Sequence, residues 1–274
     1  MKKIFLISLL LFFCLQADLL AQKKIENQLS LALGMSHLKR QDLIFSPFVH
    51  QDLSLMQIGI NYQRNSRLIQ SIDLQLGLFA PGYQTPYKYE EEEDVKTATN
   101  DLFIFMNLDY RIGKYLVKHE KFNLEAGAAL ITKVQALNYV YGRIGNFGYH
   151  STIGLGGYVN GSYQLNEKQK LSMGLQLPLL SWLARSPFSI NDDEYIENTT
   201  QNSGIGTFFA FLADGQLASW DKLQYLDFDF HYEYLLNQKW LLKGQYGFSF
   251  IHVQVQRPMT SLQNNFNIIG TLKF

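Results

Sequence analysis

The chain has 274 residues, a formal net charge of zero and a pI of about 7.0, so nothing in its charge draws it to nucleic acid. Hydrophobic residues make up 47% and aromatics 14%, yet beyond the N-terminus no segment stays apolar for the roughly 20 residues that a membrane helix needs. Apolar content on this scale without apolar runs has to be spread by alternation. A chain that crosses lipid without helices must close into a barrel, because every backbone polar group then has to be paired internally.

Lys2 and Lys3 precede an apolar stretch from Ile4 to Leu15, followed by Leu19-Leu20-Ala21-Gln22. This predicts a secretory signal peptide over 1–21, cut after Ala21, and a single domain over 22–274. The one cysteine, Cys14, falls inside the signal, so the mature chain is expected to hold no disulfide and no Cys-based metal site.

Ten segments then alternate with period 2: Leu29 to Met35, Met56 to Tyr62, Ile72 to Leu78, Leu102 to Tyr110, Phe122 to Leu130, Ile153 to Tyr163, Leu171 to Leu179, Leu226 to Tyr234, Trp240 to Phe250, and Phe266 to Phe274. Successive side chains of a strand point to opposite faces, so each segment has one apolar face. No Asp, Glu, Lys or Arg falls on those faces. At a lipid-facing midplane position a basic residue costs about 2–4 kcal/mol. The expected fold is all-β, a closed antiparallel up-and-down transmembrane barrel of about ten strands.

The connectors alternate long and short: 39–52 then 65–67, 81–100 then 113–121, 134–148 then 165–168, and 181–221 then 237–239. Long loops outside and short turns inside are the habit of such barrels, and an even strand count puts both termini in the periplasm. Tyr62, Tyr110, Phe122, Tyr163, Tyr232, Tyr234, Trp240 and Phe274 lie on apolar faces near the turn-side strand ends, where amphipathic rings prefer the membrane interface.

Inward positions include Gly34, Gly59, Gly77, Gly127, Gly154, Gly156, Gly174 and Gly247. Eight strands enclose a space just filled by side chains, so ten leave a slim wet passage or a plugged one. The inward charges Asp73, Asp109, Arg111, Glu125, Asp227, Asp229, Glu233 and Lys243 read as a polar ladder solvating the lumen, with Glu233 opposite Lys243. A sharper reading gives Asp227, Asp229 and His231 general acid/base work, with His150 near the top of the sixth strand as a further candidate. No metal or other cofactor is called for.

Two loops stand out. One carries Glu90-Glu91-Glu92-Glu93-Asp94, a solvated tip or a carboxylate cluster for divalent cations bridging lipopolysaccharide phosphates. The other, the long external loop 181–221, turns apolar over 205–213 before Asp214-Gly215. Asp-Gly is a hairpin signal, so the piece could add two strands and make twelve. The preferred expectation is a short helix or hairpin folded over or into the mouth, with Phe208, Phe209, Phe211 and Trp220 packed inside. The alternative leaves those aromatics as an exposed patch for a partner or an apolar ligand.

The signal peptide, the alternating strands, the short turns and the terminal Phe274 together resemble bacterial outer-membrane β-barrels as a class. The resemblance implies residence in the outer membrane among phospholipid and lipopolysaccharide, and insertion by the barrel-assembly machinery, which reads a terminal strand of this kind. Gly270 departs from the commonest position of the glycine in that signal. The function expected is non-enzymatic: passage or binding of a small solute, or surface attachment. The alternatives are a membrane-embedded hydrolase of protease or lipase type, and an accessory subunit of a larger envelope transport complex whose partner would meet the longest loop.

Overall fold

The computed structural model describes residues 26–81, 88–91, 94–97, 100–141, 144–187 and 204–274. The expected signal peptide, Glu92 and Glu93 lie outside them, as does most of the polar stretch of the longest loop.

Ten antiparallel strands close into one barrel. In chain order they are β1 (Glu26–Asp42), β2 (Ser46–Asn65), β3 (Ile69–Phe79), β6 (Leu102–Lys118), β7 (Phe122–Tyr141), β8 (Ile144–Asn166), β9 (Gln169–Arg185), β11 (Leu223–Leu235), β12 (Trp240–Val253) and β13 (Met259–Lys273). Each pairs with its chain neighbour, and β13 pairs with β1 to close the ring. Outside the barrel, β4 (Lys88–Glu91) and β5 (Asp94–Thr97) form a separate hairpin; a helix α1 (Gly204–Ala213) precedes a three-residue strand β10 (Gln216–Ala218) that continues the wall along β9 beyond the end of the β9–β11 pairing. The stretch that could have supplied two further barrel strands is thus a helix and a short edge strand, and the count stays at ten.

The outward faces carry the apolar residues that lipid demands. Leu31, Leu33, Ile58, Ile60, Leu76, Ile104, Leu155, Met173, Phe266 and Ile268 are all exposed on the outer wall. The wall is much taller than a bilayer requires: β2 has 20 residues and β8 has 23, against the 9–11 of a strand that only spans. Segments read from sequence as loops 39–52 and 134–148 are therefore largely strand, with β1 and β2 paired up to Asp42 and Ser46, and β7 and β8 up to Tyr141 and Ile144. Above the lipid the outer face is free to be polar, as at Lys39 and Gln51, and the alternation that marks a lipid-facing strand fades while the hydrogen-bonded ladder continues.

The longest loop also begins later than expected, because β9 runs on through 181–185. Between the pairs Leu155↔Leu180 and Gly156↔Pro178 the register slips by one residue, leaving Leu179 as a bulge. A bulge gives one strand an extra residue and switches the face on which the following side chains point. Leu179 and Leu180 both face outward, and Ser181, Leu183 and Arg185 then turn into the barrel, where all three are buried.

Opposite the bulge, Gly156 sits so close to β9 that a Cβ on it would lie 1.9 Å from the Leu177 carbonyl oxygen and 2.5 Å from the Pro178 Cα. Both obstacles are backbone and cannot swing away. Gly156→Ala is expected to destabilise the barrel by about 1–3 kcal/mol through forced backbone displacement, read as a lower urea midpoint. Gly244→Ala, whose Cβ would meet nothing within 4 Å, should leave the midpoint in place.

Candidate functional site

The lumen divides into two levels. Towards the short turns lies a polar cup of about 260 Å³ lined by Ser30, Asn61, Asp73, Asp109, Arg111, Glu125, Lys133, Tyr158, Lys170, Asp227, Asp229, His231, Glu233 and Lys243 among others. Period-2 alternation produces this lining directly: each residue is the inward partner of an apolar outward one. Arg111 sits within the field of Asp73, Asp109 and Asp229 and lies 5.9 Å from the ring centre of Tyr158. The Tyr158 hydroxyl donates a short hydrogen bond to Glu125. At the rim, Lys170 pairs with Glu233 at 3.1 Å.

The cup is crossed at its floor. Lys133 reaches Asp227 at 3.0 Å and the Ser249 hydroxyl at 2.9 Å, with its ammonium 4.5 Å from the ring centre of Tyr225. Gln176 donates to Asp109 at 3.0 Å. Beneath this layer the lumen is filled. One apolar cluster joins Ile131, Leu183, Leu223, Tyr225, Ile251, Val253 and Met259, and a second joins Leu38, Phe45, Phe79, Phe103, Phe105, Leu137 and Tyr139.

Charged groups are set into that plug. Arg40 donates to Asp42 at 3.0 Å, to the Gln135 amide oxygen at 2.7 Å and to the Tyr139 hydroxyl at 3.3 Å. Arg185 makes a second, short ion pair with Asp42 and donates to the carbonyl of Arg257 at 2.6 Å. His50 and Asp101 pair at 2.6 Å. Arg40 and Tyr139 stand on strands four places apart around the ring, as do Arg185 and Asp42. These contacts therefore run across the lumen and not along its wall. The expected alternatives of a slim passage or a plug resolve to a plug built from wall side chains.

All eight residues of the expected ladder, Asp73, Asp109, Arg111, Glu125, Asp227, Asp229, Glu233 and Lys243, line the cup. Glu233 stands opposite Lys243 in the β11–β12 register, but its ion pair is made with Lys170 on the other neighbouring strand. His231 bonds Asp229 two residues away on the same strand, and its Nδ1 has no hydrogen-bond partner among the described residues. His150 is distant in kind: it is fully buried in the plug beside Arg185 and Gln135, with neither ring nitrogen hydrogen-bonded among the described residues. The two histidines do not share a site. No group of three or more His, Cys, Asp or Glu able to hold a metal occurs among the described residues.

Outside the barrel, Glu90, Glu91 and Asp94 lie on the β4–β5 hairpin, with the Glu90 and Asp94 side chains exposed. The expected lid is corrected. Phe211 stacks at 4.1 Å and 7° on Tyr149, which with Ala184 forms a buried cluster on the outer face of β8 and β9. Trp182 Nε1, also outward, donates to the Leu212 carbonyl at 2.7 Å. The helix α1 thus lies against the outside of the wall and not in the mouth, which the plug already occupies. Phe209 and Trp220 are exposed, and the Phe208 side chain falls outside the described ones.

Several residues of the cup and plug were not legible as site residues: Lys133, Lys170, Arg40, Asp42, His50, Asp101 and Arg185. Most sit where the strands rise above the lipid, in stretches read as loops. The signal that could have found them is phase: Leu38, Arg40 and Asp42 keep the inward parity of Ser30 and Ser36.

Neither a family model nor a curated protein sequence matches the chain. Among solved structures, the outer membrane protease OmpT from Escherichia coli superimposes with a TM-score of 0.57 at 8% identity, over 94% of this chain and 99% of that one. The toluene transporter TodX from P. putida aligns over 92% of this chain and 90% of its own at a TM-score of 0.38 and 9% identity. Neisserial surface protein A aligns over 92% and 98%, at 0.35 and 11%. The superposition on OmpT, at 8% identity, bears on the fold alone: the chain has the fold of a bacterial outer-membrane β-barrel.

Proposed function

We propose that this outer-membrane barrel is a non-enzymatic, non-conducting binder of a small polar solute that carries both charges, taken up from the turn side, which faces the periplasm with both termini. The observation that carries the reading is the cup closed at one end. Its volume suits a solute on the order of an amino acid, below the 300 Å³ or more of drug-sized pockets. Its wall sets Asp73, Asp109 and Asp229 around Arg111, with Asp109 Oδ1 and Arg111 Nε free of hydrogen bonds among the described residues. A zwitterion can satisfy an unpaired carboxylate oxygen and an unpaired guanidinium N–H together.

Titration calorimetry of the folded protein with arginine, lysine, glutamate and glucose tests this. At least one amino acid is expected to bind and glucose is not. Arg111→Gln and Asp109→Asn should each weaken binding roughly 10- to 150-fold, the value of one charge-assisted hydrogen bond of about 1.5–3 kcal/mol. Heat released by none of the three amino acids, or binding indifferent to both substitutions, overturns the proposal.

A hydrolase is less well supported. The Asp229–His231 pair lies inside the cup, and His150 is sealed in the plug. Surface attachment draws on one observation, the acidic β4–β5 hairpin, which lies in the connection between β3 and β6 on the loop side and would face the cell exterior and lipopolysaccharide. Insertion by the barrel-assembly machinery through β13 and Phe274 belongs to the same proposal.

A further inference from the structure

The outer wall carries an apolar annex that neither solute binding nor barrel closure uses. It begins with Leu179 and Leu180, which the bulge turns outward together at 74% and 50% exposure. Directly above them β10 is hydrogen-bonded to the edge of β9, with Leu217 opposite Trp182 and 59% exposed. Helix α1 follows the same wall, and its sequence, GIGTFFAFLA, contains no charged residue. Trp220 closes the annex, half exposed, next to Asp221 and Lys222.

The level of this annex follows from strand geometry. On β8 the turn-side girdle residue Tyr163 and the outward Ile153 are ten residues apart. At about 3.4 Å per residue and a tilt of about 40°, that separation is about 26 Å along the barrel axis, close to the apolar band of about 25 Å on such barrels. Ile153 pairs with Trp182, and Trp182 with Leu217. Partners on strands tilted this way are offset along the axis by about 3 Å per strand, so Leu217, two strands from Ile153, stands within about 6 Å of the upper edge of the band, next above Leu180. Tyr149, against which α1 packs, is four residues further up, about 10 Å higher by the same geometry. That is the depth of the headgroup layer.

We propose that α1, β10 and Trp220 form an interfacial platform that seats the loop-side end of the barrel on the headgroup layer of a lipid leaflet. One face of the helix packs on the wall through Phe211 and Leu212. An uncharged helix and an exposed Leu217 continuous with the lipid band have lipid as their neighbour; water would leave this apolar surface exposed. Trp220, with its ring beside charged residues, matches the preference of tryptophan for the membrane interface.

Site-directed spin labelling tests it in the full chain with Cys14→Ser, which removes the only native cysteine. Labels at Leu217→Cys, Leu155→Cys and Glu120→Cys are compared in vesicles of phosphatidylethanolamine and phosphatidylglycerol. Leu155 marks the lipid band, and Glu120, exposed in the β6–β7 turn at the far end of the barrel, marks water. The collision ratio of oxygen to a water-soluble nickel chelate at Leu217→Cys is expected to be several-fold above that at Glu120→Cys and nearer to that of Leu155→Cys. A ratio nearer to Glu120→Cys overturns the proposal. Low collision with both reagents also overturns it, with dipolar broadening assigning the surface to a second copy and its absence to cover by the chain's own loop. Solute binding is untouched by any of these outcomes.

Discussion

Asp42→Ala is expected to destabilise the barrel by about 3–5 kcal/mol, the cost of removing one partner from a buried ion pair. Asp42 is the shared anion of two guanidinium groups, and the side chains of Asp42, Arg40 and Arg185 are 0%, 0% and 3% exposed. Truncation leaves both cations buried in the plug with no carboxylate between them. Asp42→Asn keeps an acceptor oxygen but not the charge, so its cost should fall between alanine and the unaltered protein. The contrast is Glu26 with Lys273 at the turn-side rim, 3.2 Å apart and 43% and 28% exposed. An ion pair in that setting contributes about 0–1 kcal/mol, and Glu26→Gln should hardly move the transition. Urea unfolding followed by tryptophan emission in phospholipid vesicles measures all three. An unchanged midpoint for Asp42→Ala would show that the two arginines are not held as described.

The membrane part of this fold was legible because lipid imposes a strict rule on one face of every strand. Leu29 to Met35 or Ile72 to Leu78 cannot carry a charge outward, so alternation there reads as a strand and its parity reads as a lumen. Glu233 opposite Lys243 follows from the same regularity and a tight turn. Above the lipid the rule lapses. Lys39 and Gln51 are outward residues of paired strands, but beside Arg40 and His50 they look like loop. The bulge at Leu179 was equally hidden: one extra residue reverses the parity of Ser181, Leu183 and Arg185, and Pro178 is the only local mark of irregularity. Contacts across the lumen, such as Lys133 to Asp227 or Arg40 to Gln135, join positions about 95 residues apart. No spacing within a strand announces them. The apolar stretch 205–213 reads as a helix or hairpin outside the bilayer, but its side of the wall depends on Tyr149 and Trp182 facing outward, which only the register decides.

Planar-bilayer recordings are expected to show no unitary steps for the unaltered protein, and none after removal of residues 188–213 with β10 left in place. The reason is where the closure lies. Helix α1 packs on the outer wall, so deleting it opens no path, while the plug is made by inward side chains of the wall strands and of the turn after Asp42. Part of it is the stack of Phe45 on Tyr139, with ring centres 4.6 Å apart and the Tyr139 hydroxyl held by Arg40. Replacing Arg40, Phe45 and Tyr139 together by alanine removes two aromatic rings and a guanidinium from one contiguous region spanning the lumen. Water can then meet the cup from the loop side, and discrete current steps should appear. The same variant loses the packing of three large buried side chains, at about 3–5 kcal/mol for each aromatic removed, so folding has to be confirmed by its resistance to unfolding in cold detergent before the recording is read. Steps from the unaltered protein would show that the plug does not close the lumen, and steps that first appear on deleting 188–213 would place the barrier in the loop instead of the wall.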